Sequence, residues 1–207
     1  MESKIVAVFD FDGTLTKIDS YSYLLGKVQT HRKVWRITLY HLIKPLFKSV
    51  GTSNDLLKVV SSTLILRGIS KAFIEGVAEQ FVSDGLICNN IFDILLDKLR
   101  SNYRVLIVSA SPQFYIQKII EYYLAIKCSS AVLPSLEVLG SRVLFDSTMG
   151  FQKFQYNLYR ERKRQVLHTM GIDRLNILYT DSDDDYPLME ISDTVFMIKD
   201  CKSFERL

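Results

Sequence analysis

Three short apolar runs along the chain each end abruptly in a polar turn. Ile5 to Phe9 is β-branched and apolar and is followed at once by Asp10-Phe11-Asp12-Gly13, the pattern of a buried strand that stops at a turn. Val105 to Val108 ends in the same way at Ser109-Ala110-Ser111, and Leu175 to Tyr179 ends at Thr180-Asp181-Ser182-Asp183-Asp184-Asp185. The second run leads into a helical pattern from Pro112 to about Ala125, the third into a shorter one from about Tyr186 to Ile191. Alternating strand and helix predict a parallel sheet. Ligands of such sheets bind outside the carboxyl ends of the strands, where all three polar turns fall.

The stretch from Lys17 to Asn102 reads as helical and lacks a comparable strand run. One crossover helix needs far less chain, so the spacing predicts a helical insertion over residues 17–85, a cap above the first turn. A crossover helix from Ile87 to Leu99 then returns to the sheet. Residues 1–16 and 86–207 form the α/β core in this division. Between Leu136 and Phe145, apolar residues flank Gly140-Ser141 at hairpin-like spacing, which predicts a small β excursion turning at that pair.

Composition narrows the function classes. The 207 residues are 48% hydrophobic, enough for a sizeable core, and the net charge of +3 does not call for a nucleic-acid partner. Cys88, Cys128 and Cys201 are isolated, with no CxxC spacing, which argues against a disulfide framework or a zinc site and for a reducing cytosol. The N-terminal residues enter a strand directly, without the apolar core of a signal peptide, and Arg36, His41 and Lys44 interrupt the longest candidate for a membrane span. A cytoplasmic protein is expected, at most peripheral to the inner face of a membrane.

The basic residues are unevenly spread. Ser20 to Asn54 holds no Asp or Glu but carries Lys27, Arg32, Lys33, Arg36, Lys44 and Lys48. On a helical wheel Trp35, Leu39, Leu42, Ile43 and Leu46 cluster opposite Lys33, Arg36, Lys44 and Lys48. Such a helix over residues 32–48 is either an ordinary cap helix that buries its apolar side or an interfacial one drawn to anionic lipid. His31, His41 and His168 have no partner at metal-ligand spacing.

The polar turns carry the candidate chemistry. Asp10 and Asp12, two residues apart beyond a strand, can project into one pocket while Phe11 points elsewhere, and Gly13 permits a sharp turn. Asp181 and Asp185 are four apart, compatible with facing the same spot at the start of a helix. Four converging carboxylates repel one another, and a hard divalent cation such as magnesium resolves the repulsion. Ser109 and the backbone N–H groups that open the next helix can donate to a phosphate. Lys163, at the start of another expected helix, can supply a fixed positive charge.

These residues resemble, in the same order and across the whole chain, the haloacid dehalogenase superfamily. Its DxDGT motif stands here as Asp10-Phe11-Asp12-Gly13-Thr14, its strand ending in Ser as VLIVSAS with Ser109, and its acidic motif as Asp181-Ser182-Asp183-Asp184-Asp185. DFDGTLTKIDSY, SASPQFY and YTDSDDDYPLM look most like subfamily IB, which includes phosphoserine phosphatases, and the apolar, basic insertion is similar to that of bacterial phosphatidylglycerophosphatase C. The resemblance implies a Rossmann-like three-layer core with a parallel sheet and an inserted helical cap of the C1 type. It implies Asp10 as nucleophile and metal ligand, and Asp12 as the acid and base that also binds metal through its backbone carbonyl. Ser109, Ala110 and Lys163 would hold the phosphate, and Asp181 would bind Mg2+, with Asp185 ligating it directly or through water. Dehalogenases of the superfamily lack the second acid and pump ATPases carry Lys-Thr there, so Asp12 favours a phosphatase.

Two departures bear on this transfer. The residues ahead of Lys163 are Tyr159-Arg160-Glu161-Arg162 rather than a Gly-containing lead, and Lys153 is a rival for the phosphate-binding role. Asp19 stands where phosphoserine phosphatases carry a Glu against the substrate amine, which disfavours phosphoserine itself. The expected partner is a phosphorylated small molecule or a lipid-linked phosphate. Phosphotransfer to a hydroxyl acceptor and a non-catalytic phosphate- or membrane-binding module are the alternatives.

Overall fold

A computed structural model of the chain describes residues 5–32, 59–60, 63–127, 136–146, 148, 150–201 and 203–207. Its centre is a seven-stranded sheet in the order β4-β3-β2-β1-β5-β6-β7. β1 (Val6–Phe9) lies between β2 (Arg104–Pro112) and β5 (Leu175–Thr180), parallel to both. β3 (Leu136–Asp146) pairs parallel with β2, and β6 (Ser192–Asp200) parallel with β5. Each edge is closed by an antiparallel strand, β4 (Gly150–Tyr156) on β3 and β7 (Ser203–Arg206) on β6.

The period of two along the central strands sorts the core into two layers. Ala7 and Phe9 of β1, with Val105 and Ile107 of β2, face one cluster, which also takes in Leu24 of the helix Ser20–Arg32, Phe81 of the helix Lys71–Ser83, Phe92 of the helix Asn89–Arg100 and Ile119 of the helix Gln113–Lys127. Val8, Leu106 and Val108 face the other, with Leu167 of the helix Glu161–Thr169 and Leu188 of the short helix Tyr186–Met189. Helices thus cover both faces of the parallel strands, which explains why those strands read as continuous apolar runs.

The chain leaves β1 and later returns to the sheet through one narrow crossing. Lys17 N donates to Leu86 O and Cys88 N to Leu15 O, both at 2.9 Å, around an antiparallel bridge between Thr16 and Ile87. Beyond this crossing Ser70 caps the helix Lys71–Ser83 by accepting from Phe73 N. The amphipathic basic helix expected over residues 32–48 falls, beyond Arg32, outside the described residues, and with it the membrane-contact reading. Among the described residues no helix is long and apolar enough to cross a membrane.

Two sequence expectations are corrected. Gly140 and Ser141 do not form the turn of a hairpin; both lie inside β3, and the chain reverses after Asp146 to enter β4. Gly140 serves close approach instead, since a Cβ there would stand 2.6 Å from Gln113 Cα. The cysteines are not all isolated: Cys88 and Cys201 form a disulfide, with Cα atoms 4.9 Å apart and a sequence separation of 113. One precedes the helix Asn89–Arg100 and the other follows β6, a meeting that local spacing does not encode.

Candidate active site

β1 delivers Asp10 to the carboxyl end of the sheet, where its backbone N–H donates to Tyr179 O of β5 at 2.8 Å. The chain then turns at once. Phe11 is fully buried, its carbonyl accepts from Leu15 N at 2.9 Å, and Gly13 takes a φ of +77° that a side chain would resist. This turn leaves Asp10 and Asp12 lining one cleft of about 240 Å³ with Asp19, Ser109, Ala110, Tyr159, Lys163, Asp181, Ser182, Asp184 and Asp185. All the residues expected from the sequence to act in the site are therefore placed on one cleft, apart from Lys153, which is exposed on β4.

Lys163 is in the first turn of the helix Glu161–Thr169, only 4% exposed, and it bridges two carboxylates. Its Nζ lies 2.7 Å from Asp10 Oδ1 and 2.6 Å from Asp185 Oδ1. Asp185 is buried as well, and its other oxygen accepts from Thr180 Oγ1 at 2.8 Å. With one ammonium against two buried carboxylates, the charges do not balance. Burial alone would lower the Lys163 pKa, but Asp10 and Asp185 together raise it, so the amine stays protonated. Burial pushes the Asp10 carboxyl well above its ordinary range, Lys163 opposes this, and Asp185 and Asp12 add to it.

Asp12 is held by three donors. Oδ1 accepts from Ser20 N at 2.7 Å, and Oδ2 accepts from Ser111 Oγ at 2.6 Å and from Ser109 Oγ at 3.2 Å. Loss of hydration raises its pKa first and the neighbouring Asp19 second, while the bonds from Ser111 and Ser20 pull it back. Asp19 is exposed at the head of the helix Ser20–Arg32, where it accepts from Ser22 N at 2.5 Å. Asp181 rests against the Gly13 turn and accepts from Thr14 Oγ1 at 3.3 Å. Although its outer side meets solvent, reduced hydration raises its pKa, with Thr14 opposing.

Sequence reasoning missed a second group at the mouth of the cleft. Tyr159 Oη donates to Asp184 Oδ2 at 2.6 Å, while Arg160 donates to Asp184 Oδ1 through Nε at 3.0 Å and through its terminal nitrogen at 2.6 Å. This clamp joins the acidic loop to the start of the Lys163 helix, where Arg160 has a φ of +49°. Nothing local in the run Arg160 to Arg164 marks Arg160 as the partner of Asp184, 24 residues away. Ser111 was also missed, although its spacing from Ser109 on a strand places both on one face. Ser109-Ala110-Ser111 forms no turn, contrary to the sequence expectation, but continues β2 with a register shift between Val108 and Pro112, and beside it buried Ser141 donates to Ala110 O at 2.7 Å and accepts from Leu158 N at 2.9 Å.

Among the described residues no three His, Cys, Asp or Glu side chains meet closely enough to hold a metal ion as they stand, since Asp10 and Asp185 both turn to the Lys163 ammonium. The donor set nevertheless fits a hard divalent cation. It consists of hard oxygens only, and the carboxylates of Asp10, Asp12, Asp181 and Asp185 line the cleft against one lysine; burial first, with the neighbouring carboxylates adding to it, raises the pKa values of Asp10 and Asp181.

A family model described as haloacid dehalogenase-like hydrolase matches residues 7–190. No curated protein matches the chain. Among solved structures, a phosphoserine phosphohydrolase-like protein from Francisella tularensis is similar at 16% identity and a TM-score of 0.63, over 93% of this chain and 86% of that one. A phospho-aspartyl intermediate analogue of phosphoserine phosphatase is similar at 14% identity and a TM-score of 0.62, over 94% and 86%. Cytosolic 5′-nucleotidase IIIB bound to cytidine is similar at 16% identity and a TM-score of 0.60, over 91% and 69%. At these identities the likeness is one of fold.

Proposed function

From the premise that the chain belongs to the haloacid dehalogenase-like hydrolase family, we propose that it is a magnesium-dependent phosphomonoester phosphatase that works through an aspartyl-phosphate. The observation that carries this reading is the placement of Asp10 at the end of the central strand, beside Asp12 and 2.7 Å from a buried, protonated lysine. The phosphatase neighbours of the same fold agree with it.

In this reading an Asp10 carboxylate oxygen attacks phosphorus, and the bond from phosphorus to the substrate oxygen breaks. Asp12 gives its proton to that leaving oxygen. It then takes a proton from the water that attacks the aspartyl-phosphate, which releases phosphate and restores Asp10. The raised pKa of Asp12 suits a group that must carry a proton in the first step. Lys163, Ser109 and the Ala110 backbone N–H face the phosphate oxygens with one full charge and two neutral donors. Asp10, the Asp12 backbone carbonyl, Asp181 and Asp185 would hold Mg2+, which offsets the charge of these acids and of the incoming phosphate when bound.

The helices between Ser20 and Ser83 act as the cap in this reading, with residues 17–85 as the insertion and residues 1–16 and 86–207 as the core. A cleft of about 240 Å³ with mostly polar walls suits a compact phosphorylated metabolite.

The test is a panel of phosphomonoesters, phosphatidylglycerophosphate in detergent included, assayed on the purified protein with Mg2+. The native chain should turn over at least one of them, lose activity on chelation, and take up label from a radioactive substrate. Asp10→Asn should show neither turnover nor label. Undiminished turnover in that variant would contradict the covalent mechanism.

A further inference from the structure

Asp12 is held by more than the phosphate-binding and metal-binding residues require. Its Oδ2 accepts from two hydroxyls, Ser111 at 2.6 Å and Ser109 at 3.2 Å, while Oδ1 accepts from one backbone N–H, that of Ser20. A carboxylate oxygen offers about two acceptor positions. While both serines donate, Oδ2 is full and Oδ1 keeps the open position. Ser111 is 1% exposed, so its hydroxyl cannot turn out to solvent, and its own backbone N–H donates to Ser109 Oγ at 3.0 Å.

Ser109 has two claims on its one hydroxyl proton. It donates to Asp12 in this structure, and in the proposed reaction it donates to phosphate. Once substrate takes that proton, Ser111, at 2.6 Å, is the principal side-chain donor left to Asp12 among the described residues, with the Ser20 side chain beside it. Ser111 in turn accepts a 3.4 Å bond from Ser20 Oγ, and Ser20, fully buried, opens the first helix beyond β1. One residue of that helix thus touches Asp12 directly and braces the serine that holds it.

We propose that Ser111 is a positioning residue for the acid step: its hydroxyl holds Asp12 Oδ2 so that Oδ1 faces the leaving oxygen, and Ser20 braces it from the helix Ser20–Arg32. The proposal rests on the phosphatase reading above. The Ser111 hydroxyl contacts neither the phosphate nor the metal in this account and acts through the Asp12 carboxyl; its backbone bond to Ser109 is kept in any side-chain variant. Its loss therefore matters in proportion to how much the leaving group needs a proton. An alkoxide needs one; a nitrophenolate leaves without it.

The experiment compares kcat/KM, which reports formation of the aspartyl-phosphate, for p-nitrophenyl phosphate and β-glycerophosphate in native protein, Ser111→Ala and Ser111→Thr. Ser111→Ala should lose about 10-fold or more on β-glycerophosphate, part of the roughly 10²–10⁴-fold that a positioned acid contributes, and no more than about threefold on p-nitrophenyl phosphate. Ser111→Thr, which keeps the hydroxyl, should restore most of the difference. The ratio of the two rates within one preparation does not depend on how much of the protein is folded, so a poorly folding variant still gives an answer. An unchanged ratio in Ser111→Ala would make Ser111 a packing residue only and overturn the proposal while leaving the phosphatase reading intact. A native protein that hydrolyses neither ester, nor any of the wider panel, would remove both.

Discussion

The α-carbon of Gly13 lies against the carboxylate of Asp181: a Cβ built on Gly13 would stand 2.0 Å from Asp181 Oδ2. The first and last acidic turns of the chain therefore touch through a position where only a hydrogen fits. Gly13→Ala should push Asp181 aside and also strain a backbone at φ +77°, a conformation costing roughly 1–2 kcal/mol for an L-residue. We expect the melting temperature to fall by several degrees, roughly as that cost implies. Activity should fall much further, and raised Mg2+ should recover part of it. Native activity in Gly13→Ala would show that the Asp181 position is unimportant.

Lys163 and Lys153 make opposite predictions. Lys163 is buried between Asp10 and Asp185, whereas Lys153 is exposed on β4. Lys163→Ala removes the fixed charge from the cleft and should cost on the order of 10²–10³ in kcat, the scale of one lost donor to a developing oxyanion. It also leaves two buried carboxylates uncompensated, a destabilisation of roughly 3–5 kcal/mol that a denaturant melt will read. Lys153→Ala should stay within about threefold of native activity, as surface substitutions do. The reverse ranking would move the phosphate-binding role to Lys153.

The clamp on Asp184 predicts a pH dependence. The Tyr159 hydroxyl first, and then the Arg160 guanidinium, hold the Asp184 carboxyl below its ordinary range. A depressed folded-state pKa contributes stability above the unfolded value, about 3.9, and loses it as the pH falls through the folded value. The stability gap between native protein and Asp184→Asn should therefore be constant above about pH 5 and close as the solution is acidified below about pH 4. Because both partners are partly open to solvent, the gap itself should be small and should shrink with salt. A gap that widens in acid would contradict the assignment.

Cys88 and Cys201 predict a redox effect on stability. A link across 113 residues restricts the unfolded chain, so reduction should lower stability by roughly 2–4 kcal/mol. Cys201→Ser should reproduce the loss without reductant. Peptide mapping under non-reducing conditions should recover the Cys88–Cys201 pair. Free thiols at both positions in protein kept oxidised would rule the pairing out.

Much of the molecule was legible in the sequence. β1, β2 and β5 are marked by apolar, β-branched runs bounded by turn residues, because strands buried on both faces need nothing else. The parallel sheet followed from their alternation with helices, and Asp10, Asp12, Ser109, Asp181 and Asp185 stood out because each lies in or just beyond a polar stretch at the end of such a run. Local order along the chain carries that information. It did not extend to β4, β6 and β7, which lie at or near the sheet edges and are only partly buried, so that their patterns are mixed.

Tertiary structure alone decided which groups touch. Lys163 and Lys153 differ little as sequence, but only the helix Glu161–Thr169 carries its lysine between two carboxylates. Asp184 meets Arg160, Cys88 meets Cys201, and Ser111 meets Asp12 at separations of 24, 113 and 99 residues. No period or spacing encodes the first two, and for Ser111 the strand period gives only the face it shares with Ser109, not its contact with Asp12. They follow from strand order, which seats the ends of β1, β2 and β5 side by side, and from the close packing that leaves Gly13 no room for a methyl group beside Asp181.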